Sequence, residues 1–188
     1  IDEFRVALTP EGVRELSIHD IEVVMQAGAG AGSSLGDEAY RQAGVPAVLT
    51  PHAGEAGRLL GISPGEVAKG PLGAARALAE RTGLAVVLKG NPTVVAEGER
   101  LSVNPTGNPA LATGGTGDVL SGAIAALLAA GLSPFDAARL GVFLHGLAGD
   151  LLAEEKEVGL LAREVAEALP RARRLLQGGR VPPAFFPR

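Results

Sequence analysis

The strongest chemical feature of the sequence is a glycine-rich segment that ends in an acid. Residues 104–118 read NPTGNPALATGGTGD, and an apolar helical pattern follows over 119–132. Glycines let backbone amides approach a ligand closely, and the amides and dipole at a helix N-terminus favour phosphate or a developing oxyanion. Asp118 has two explanations: it caps the helix, or it is a general base that takes a proton from an attacking hydroxyl. The glycines just before it favour the base.

Two further turns carry polar residues directly after strand-like segments. Lys89 follows the apolar run 84–88. A lysine at the mouth of a parallel sheet can neutralise phosphate oxygens, although a solvated lysine at a strand end is equally expected. His52 and Glu55 follow the short strand predicted over 47–50. His52 could contact substrate and Glu55 could cap or orient, yet a turn with proline and glycine requires no function.

The composition narrows the possible partners. The chain has 188 residues, 46% of them hydrophobic, and a net charge of -4. An acidic chain lacks the basic face that nucleic acids require, so small molecules are the expected partners. Cysteine is absent and only three histidines occur, so we expect no protein-built metal site. The longest apolar helical run is shorter than the roughly 20 residues that span a bilayer, so we expect no membrane association and a cytoplasmic location.

The pattern of apolar and turn residues predicts an α/β layered fold. Strands are predicted over 5–8, 21–25, 47–50, 84–88, 93–96 and 101–103, and helices over 10–16, 37–43, 55–60, 72–81, 119–132, 134–155 and 160–176. Gly83 closes one helix and Ser133 caps another. Residues 27–36, AGAGAGSSLG, lack the G-x-G-x-x-G spacing, so a plain connection is favoured over a phosphate loop.

Two polar residues of the long helix over 134–155 receive structural explanations. His145 is expected to be a packed or interface histidine rather than a catalyst. Asp150 and the acidic run after it are expected to form a solvated helix end.

Four segments, in the same order along the chain, closely resemble the ADP- or ATP-dependent NAD(P)H-hydrate dehydratases of the ribokinase-like carbohydrate kinase superfamily. They are residues 49–61 (LTPHAGEAGRLLG), 86–96 (VVLKGNPTVVA), 104–138 and 142–150 (VFLHGLAGD). The resemblance implies a three-layer α/β/α fold. It also implies a repair reaction in which the hydrated nicotinamide ring of NADHX or NADPHX is dehydrated at the expense of ADP or ATP, with Mg²⁺ bridging the phosphates.

The same resemblance implies roles for particular residues. Asp118 would be the catalytic base, and His52 and Asp118 would touch the hydrated cofactor. The nucleotide site would be formed by Lys89, Gly90, Asn91, Pro92, Thr93, Gly115, Thr116 and Gly117.

The first quarter of the chain departs from this family. The elements that form the first half of the family's domain are not recognisable before the Thr-Pro-His segment. We therefore expect the ribokinase-like domain of this chain to be truncated in its first half. Residues 4–16 and 22–45 instead resemble the N-terminal segment of alanine dehydrogenases and of the transhydrogenase alpha subunit. We therefore predict a dehydrogenase-like or replaced segment over 1–45 and the C-terminal portion of a dehydratase domain over 46–188.

Several functions stay open from the sequence. The closest alternative enzyme is a small-molecule kinase of the carbohydrate type. A nucleotide-binding module without catalysis is a second alternative, because half of the substrate pocket is missing. An NAD-linked dehydrogenase fragment is a third, suggested only by the first 45 residues. We expect a homo-oligomer.

Overall fold

The structure is a computed structural model that describes Arg14 and residues 47–155 and 159–179. The strands and helices predicted over 5–8, 10–16, 21–25 and 37–43 lie outside these residues, apart from Arg14, which is helical. The described strands are β1 (Val48–Leu49), β2 (Ala85–Leu88), β3 (Val94–Glu97) and β4 (Arg100–Val103). The helices are α1 (Ala53–Leu60), α2 (Pro64–Lys69), α3 (Pro71–Thr82), α4 (Thr116–Ala129), α5 (Pro134–Ala153) and α6 (Ala162–Gln177), with a 3₁₀ turn at Pro109–Leu111.

The strands form a mixed sheet in the order β1-β2-β3-β4. β1 pairs with β2 in parallel, with Val48 opposite Ala85. β2, β3 and β4 are successive antiparallel neighbours. Every residue of β2 is buried, as the continuous apolar run predicts for a strand covered on both faces.

Alternate residues of the strands point to opposite faces, and each face packs on its own set of helices. One face carries Leu49, Val86 and Leu88 and packs against α1, α2 and α3. The other carries Val48 and Val87 and packs against α4 and α5. The predicted three-layer α/β/α arrangement is therefore confirmed for the described residues.

Helix ends follow local chemistry and mostly agree with the predictions. Gly83 ends α3 in the left-handed conformation at φ 68°, which glycine adopts without strain. Ser133 caps α5 by accepting a hydrogen bond from the Asp136 amide. The short helix α2 was not predicted, although Ser63 and Glu66 form a capping box at its start. The chain between α1 and α3 is thus helical rather than irregular.

The position of α4 against α5 depends on close packing. A Cβ atom on Gly141 of α5 would lie 2.6 Å from Cγ1 of Ile124 on α4, so no larger residue fits there without movement. Ile124 is fully buried.

None of the helices among the described residues combines the length and the apolar character needed to cross a bilayer.

Candidate active site

The carboxyl ends of β1 and β2 bring two of the predicted segments side by side. The Lys89 amide donates to the Pro51 carbonyl at 2.8 Å. His52 and Lys89 then form an isolated parallel bridge. Because parallel strands end at the same edge of a sheet, residues that are far apart in sequence become neighbours here.

His52 caps helix α1. Its Nδ1 accepts hydrogen bonds from the amides of Gly54 at 3.0 Å and Glu55 at 3.2 Å, while the Glu55 carboxylate accepts from the His52 amide at 2.7 Å. The role of Glu55 as a cap is confirmed. Because Nδ1 accepts twice, the proton of the neutral imidazole is on Nε2. The side chain is 55% exposed, so this Nε2–H group is accessible, with Glu55 Oε1 at 3.4 Å.

Lys89 lies between Glu55 and the start of α4. Its Nζ is 3.9 Å from Glu55 Oε2, and its side chain is 25% exposed. The same Nζ lies 3.5 Å from the position that a Cβ atom would occupy on Gly117. The lysine that follows β2 therefore reaches the N-terminus of α4.

Helix α4 begins at Thr116, with Gly115 as the N-cap at φ 86° and no side-chain cap. The interpretation of Asp118 as the N-cap is wrong, because Asp118 is the third residue of the helix. The Asp118 carboxylate is exposed and has no hydrogen-bond or ion-pair partner among residues 47–155 and 159–179. Within the same residues, the amides of Gly115 and Gly117 find no backbone acceptor. The first turn thus offers uncapped amides beside an unpaired acid.

Thr116 differs from its neighbours because it is buried. Its hydroxyl lies within hydrogen-bond distance of the carbonyls of Leu111 at 2.7 Å and Thr113 at 2.8 Å. This side chain therefore stabilises the loop before α4. Its assignment to a nucleotide site stays a prediction.

Residues 90–93 form a tight turn directly after Lys89. The peptide bond between Asn91 and Pro92 is cis. Thr93 Oγ1 donates to the Gly90 carbonyl at 3.0 Å, and Gly90, Asn91 and Pro92 are exposed. The turn is therefore exposed beside Lys89, and its assignment to a nucleotide site stays a prediction.

Asp150 was expected to be a solvated helix end, and this is wrong. Its Oδ2 accepts from the Gly107 amide at 2.8 Å, and its Oδ1 accepts from Nδ2 of Asn108 at 2.9 Å. The partners precede Asp150 by 43 and 42 residues. No local spacing in the sequence indicates such a contact.

His145 is a packed histidine, as predicted. It is 9% exposed, and its Nε2 donates to the Thr116 carbonyl at 2.9 Å. Burial lowers the pKa of the imidazole below its ordinary value, because the charged form loses hydration, while the hydrogen bond to Thr116 opposes this shift in part. His145 therefore contacts the first residue of the helix that carries Asp118.

A separate cavity of about 420 Å³ lies between β4, α5 and Leu176 of α6. It contains none of the predicted site residues. The described residues hold no cluster of three or more histidine, aspartate or glutamate side chains that could bind a metal ion.

Comparison with known proteins identifies the family of the chain. A sequence profile described as NAD(P)H-hydrate dehydratase, of the Carb_kinase type, matches residues 16–171. The chain belongs to the NAD(P)H-hydrate dehydratase family. The predicted family is thereby confirmed, and the profile includes residues 16–45, whose dehydrogenase-like character stays a prediction.

Two curated dehydratase-family relatives illustrate the extent of the similarity. The bifunctional NAD(P)H-hydrate repair enzyme Nnr of Thermofilum pendens is 51% identical over 134 residues, which are 70% of this chain and 26% of that protein. The ADP-dependent (S)-NAD(P)H-hydrate dehydratase of Cenarchaeum symbiosum is 38% identical over 151 residues, 80% of this chain and 51% of that protein. The chain thus spans about half, or less, of these relatives.

Solved structures confirm the ribokinase-like fold of this NAD(P)H-hydrate dehydratase family member. The ADP/ATP-dependent NAD(P)H-hydrate dehydratase of Bacillus subtilis, co-crystallised with ATP/Mg²⁺ and soaked with CoA, matches with a TM-score of 0.70 and 34% identity. The match covers 89% of this chain and 63% of that one. Ribokinase of Thermotoga maritima shares the fold at a TM-score of 0.54 and 19% identity, covering 89% of this chain and 54% of that one.

Proposed function

We propose that the chain performs the nucleotide-dependent dehydration of hydrated NADH or NADPH, with ADP or ATP as cosubstrate. One observation carries the proposal: the bridge between His52 and Lys89, together with the approach of Lys89 to Gly117, joins three predicted site segments at one edge of the sheet. The membership of the NAD(P)H-hydrate dehydratase family supports the substrate class.

In the proposed complex, the terminal phosphates of the nucleotide lie at the start of α4. The uncapped amides of Gly115 and Gly117 and the ammonium group of Lys89 provide positive charge for the phosphate oxygens. The exposed turn over 90–93 borders the same site, and we assign Gly90, Asn91, Pro92 and Thr93 to nucleotide binding on this basis.

Asp118 takes the proton of the ring hydroxyl as that oxygen attacks the terminal phosphorus. A new O–P bond forms, and the bond from that phosphorus to the bridging oxygen of the nucleotide breaks. The C–O bond of this phosphate ester then breaks, and inorganic phosphate leaves with the bonding electrons. Loss of a proton from the neighbouring ring carbon to water completes the double bond. The exposed Asp118 carboxylate is suited to accept the proton of the ring hydroxyl because it has no hydrogen-bond or ion-pair partner in the described part of the chain.

His52 contributes a hydrogen-bond donor to substrate binding. Its Nδ1 is engaged with the start of α1, so the ring orientation is fixed, and its Nε2 lies 3.4 Å from Glu55 Oε1 on a side chain that is 55% exposed. A fixed donor can orient the polar groups of a hydrated nicotinamide without losing rotational freedom on binding.

Mg²⁺ fits this site as an ion held mainly by the nucleotide. Mg²⁺ is commonly bound through substrate phosphates, water and at most one or two carboxylates, and the described residues offer no protein cage of three acidic or histidine ligands. When bound, the ion would neutralise charge on the phosphate oxygens. No residue of the chain is assigned to it.

We also infer that the protein acts in the cytoplasm on small molecules, without nucleic acid, and as a homo-oligomer. The net charge of -4 supports small-molecule partners over nucleic acids. Size-exclusion chromatography with light scattering of the full chain tests the oligomer.

The test of the activity compares two aspartates in the same helical position. Asp118 is the third residue of α4, and Asp136 is the third residue of α5, which begins at Pro134. The full chain is incubated with NADHX and either ADP or ATP, and formation of NADH is followed by absorbance. Asp118→Asn is expected to lower kcat by about 100- to 10,000-fold, the usual contribution of a general base, whereas Asp136→Asn should change it little.

Unchanged turnover in Asp118→Asn would exclude it as the base. Two alternative functions predict different results. A small-molecule kinase would release a stable phosphorylated product from another hydroxyl compound. A nucleotide-binding module would bind ADP in calorimetry without producing NADH, which the partial coverage of the relatives keeps as the second candidate.

A further inference from the structure

The segment HGLAGD of helix α5 contacts the loop before α4 and the first residue of α4 through four of its six residues. His145, Gly146, Gly149 and Asp150 are called the α5 clamp below. We propose that the α5 clamp is a positioning device for the active site, which fixes residues 104–118 so that Asp118 and the amides at the start of α4 keep a productive geometry. The proposal rests on the proposed function.

The two glycines of the α5 clamp allow the loop to lie directly on the helix backbone. A Cβ atom on Gly146 would lie 2.7 Å from the carbonyl carbon of Thr106. A Cβ atom on Gly149 would lie 2.6 Å from Cγ of Leu111. A side chain at 146 would displace the backbone of the loop, and a side chain at 149 would displace the Leu111 side chain that packs there.

Asp150 fixes the turn at residues 107 and 108. Its two oxygens accept from the Gly107 amide and the Asn108 side chain, and Asn108 Oδ1 in turn accepts from the Ala110 amide at 3.0 Å. Gly107 has a φ of 102°, in the region that favours glycine. A charged acceptor on a rigid helix thus holds a turn that has no regular secondary structure of its own.

His145 joins the α5 clamp to α4 itself. Its Nε2 donates to the carbonyl of Thr116, and the Thr116 hydroxyl reaches the Leu111 carbonyl. The two ends of the loop are therefore connected to the same helix. Asp150 secures the beginning, and His145 secures the first residue of α4.

Asp118 depends on this framework because its own side chain has no partner in the described residues. Its position is set by the backbone of the first turn of α4, which has no side-chain cap. A displacement of about 1 Å at a reacting group can cost about 100-fold in rate, so small movements of the loop should be visible in kcat.

The test is a reciprocal exchange of Asp150 and Asn108. Asp150→Asn places two amide groups opposite each other, and Asn108→Asp places two carboxylates opposite each other. In the double variant Asp150→Asn/Asn108→Asp all three hydrogen bonds can form again. The amide introduced by Asp150→Asn accepts from Gly107 and donates to the carboxylate introduced by Asn108→Asp, which also accepts from Ala110.

Each single variant is expected to lower kcat for NADHX by about 10- to 100-fold with a smaller change in the KM for nucleotide. The double variant should return kcat to within about threefold of wild type, since the pair acts as a unit. Ser133→Ala, which removes a cap at the opposite end of α5, is the matched control and should leave kcat unchanged.

Amide hydrogen exchange of the same full-length variants is independent of turnover. The singles should exchange faster over residues 107–118 and the double should not. Faster exchange followed by recovery supports the proposal even if wild type fails to convert NADHX, a result that would count against the proposed function alone. Unchanged exchange in folded single variants, or a double variant that recovers neither exchange nor kcat, overturns the proposal.

Discussion

The ammonium nitrogen of Lys89 lies 3.5 Å from the position that a Cβ atom would take on Gly117. The two residues come from segments separated by two strands and a long loop. Their approach brings a positive charge to the first turn of α4, where the amides of Gly115 and Gly117 find no backbone acceptor in the described residues. Lys89 is also 3.9 Å from Glu55, which limits the directions its side chain can take.

Gly117→Ala should leave the fold intact and weaken nucleotide binding. The added methyl group would meet Lys89 at an ordinary van der Waals distance, and Gly117 has no positive φ. Alanine in a helix is more stable than glycine by about 0.5–1 kcal/mol, so the melting temperature should be equal or higher. The methyl group, however, occupies space between the ammonium group and the amides. Calorimetry with ADP should show a reduced affinity, and an unchanged affinity would remove Gly117 from the site.

Gly115→Ala should instead destabilise the fold. Gly115 has a φ of 86°, and a Cβ atom there would lie 3.1 Å from Cβ of Ala162 on α6. A residue other than glycine in this conformation costs about 1–3 kcal/mol. Urea denaturation should show a lower midpoint than wild type. A midpoint equal to that of Gly117→Ala would contradict the described start of α4.

Lys89→Met should weaken the binding of a ligand that carries phosphates and leave the binding of a ligand without phosphate unchanged. A hydrogen bond to a charged group contributes about 1.5–3 kcal/mol, so ADP affinity should fall by about 10- to 150-fold. Adenosine, which has no phosphate, should bind both proteins equally. Lys69→Met, at the exposed end of α2, is the matched control. Equal losses for ADP and adenosine would argue for a general structural effect.

His145 should make stability depend on pH. Its ordinary pKa of 6.5 is lowered in the folded protein, chiefly by burial. As pH falls from about 6.5 through the folded pKa, the unfolded chain binds a proton that the folded chain does not, so the free energy of unfolding decreases. Above about pH 6.5 the contribution of His145 to the free energy of unfolding is fully present. His145→Gln keeps a donor for the Thr116 carbonyl but does not titrate, so its unfolding free energy should fall less over that range. Identical pH profiles would exclude His145 as the source.

Much of the secondary structure could be predicted because its signals are local. The apolar run of β2, the glycine after α3 and the Ser-Pro start of α5 each lie within the element that they define. The position of Asp118 was less well predicted. A glycine-rich segment before a helix does not specify which residue is the cap, and the cap is Gly115.

By itself, the sequence determined the family, the three-layer arrangement and the three segments with polar residues. Only the tertiary structure decided how those segments meet. The bridge between His52 and Lys89 depends on parallel pairing of β1 with β2, which are joined through three helices. Asp150 illustrates the same limit, since its partners lie 42 and 43 residues away and local patterns describe only neighbouring residues. Contacts of this kind form when packed helices and strands bring distant residues together, so an acid that looks solvated in sequence becomes the support of a loop.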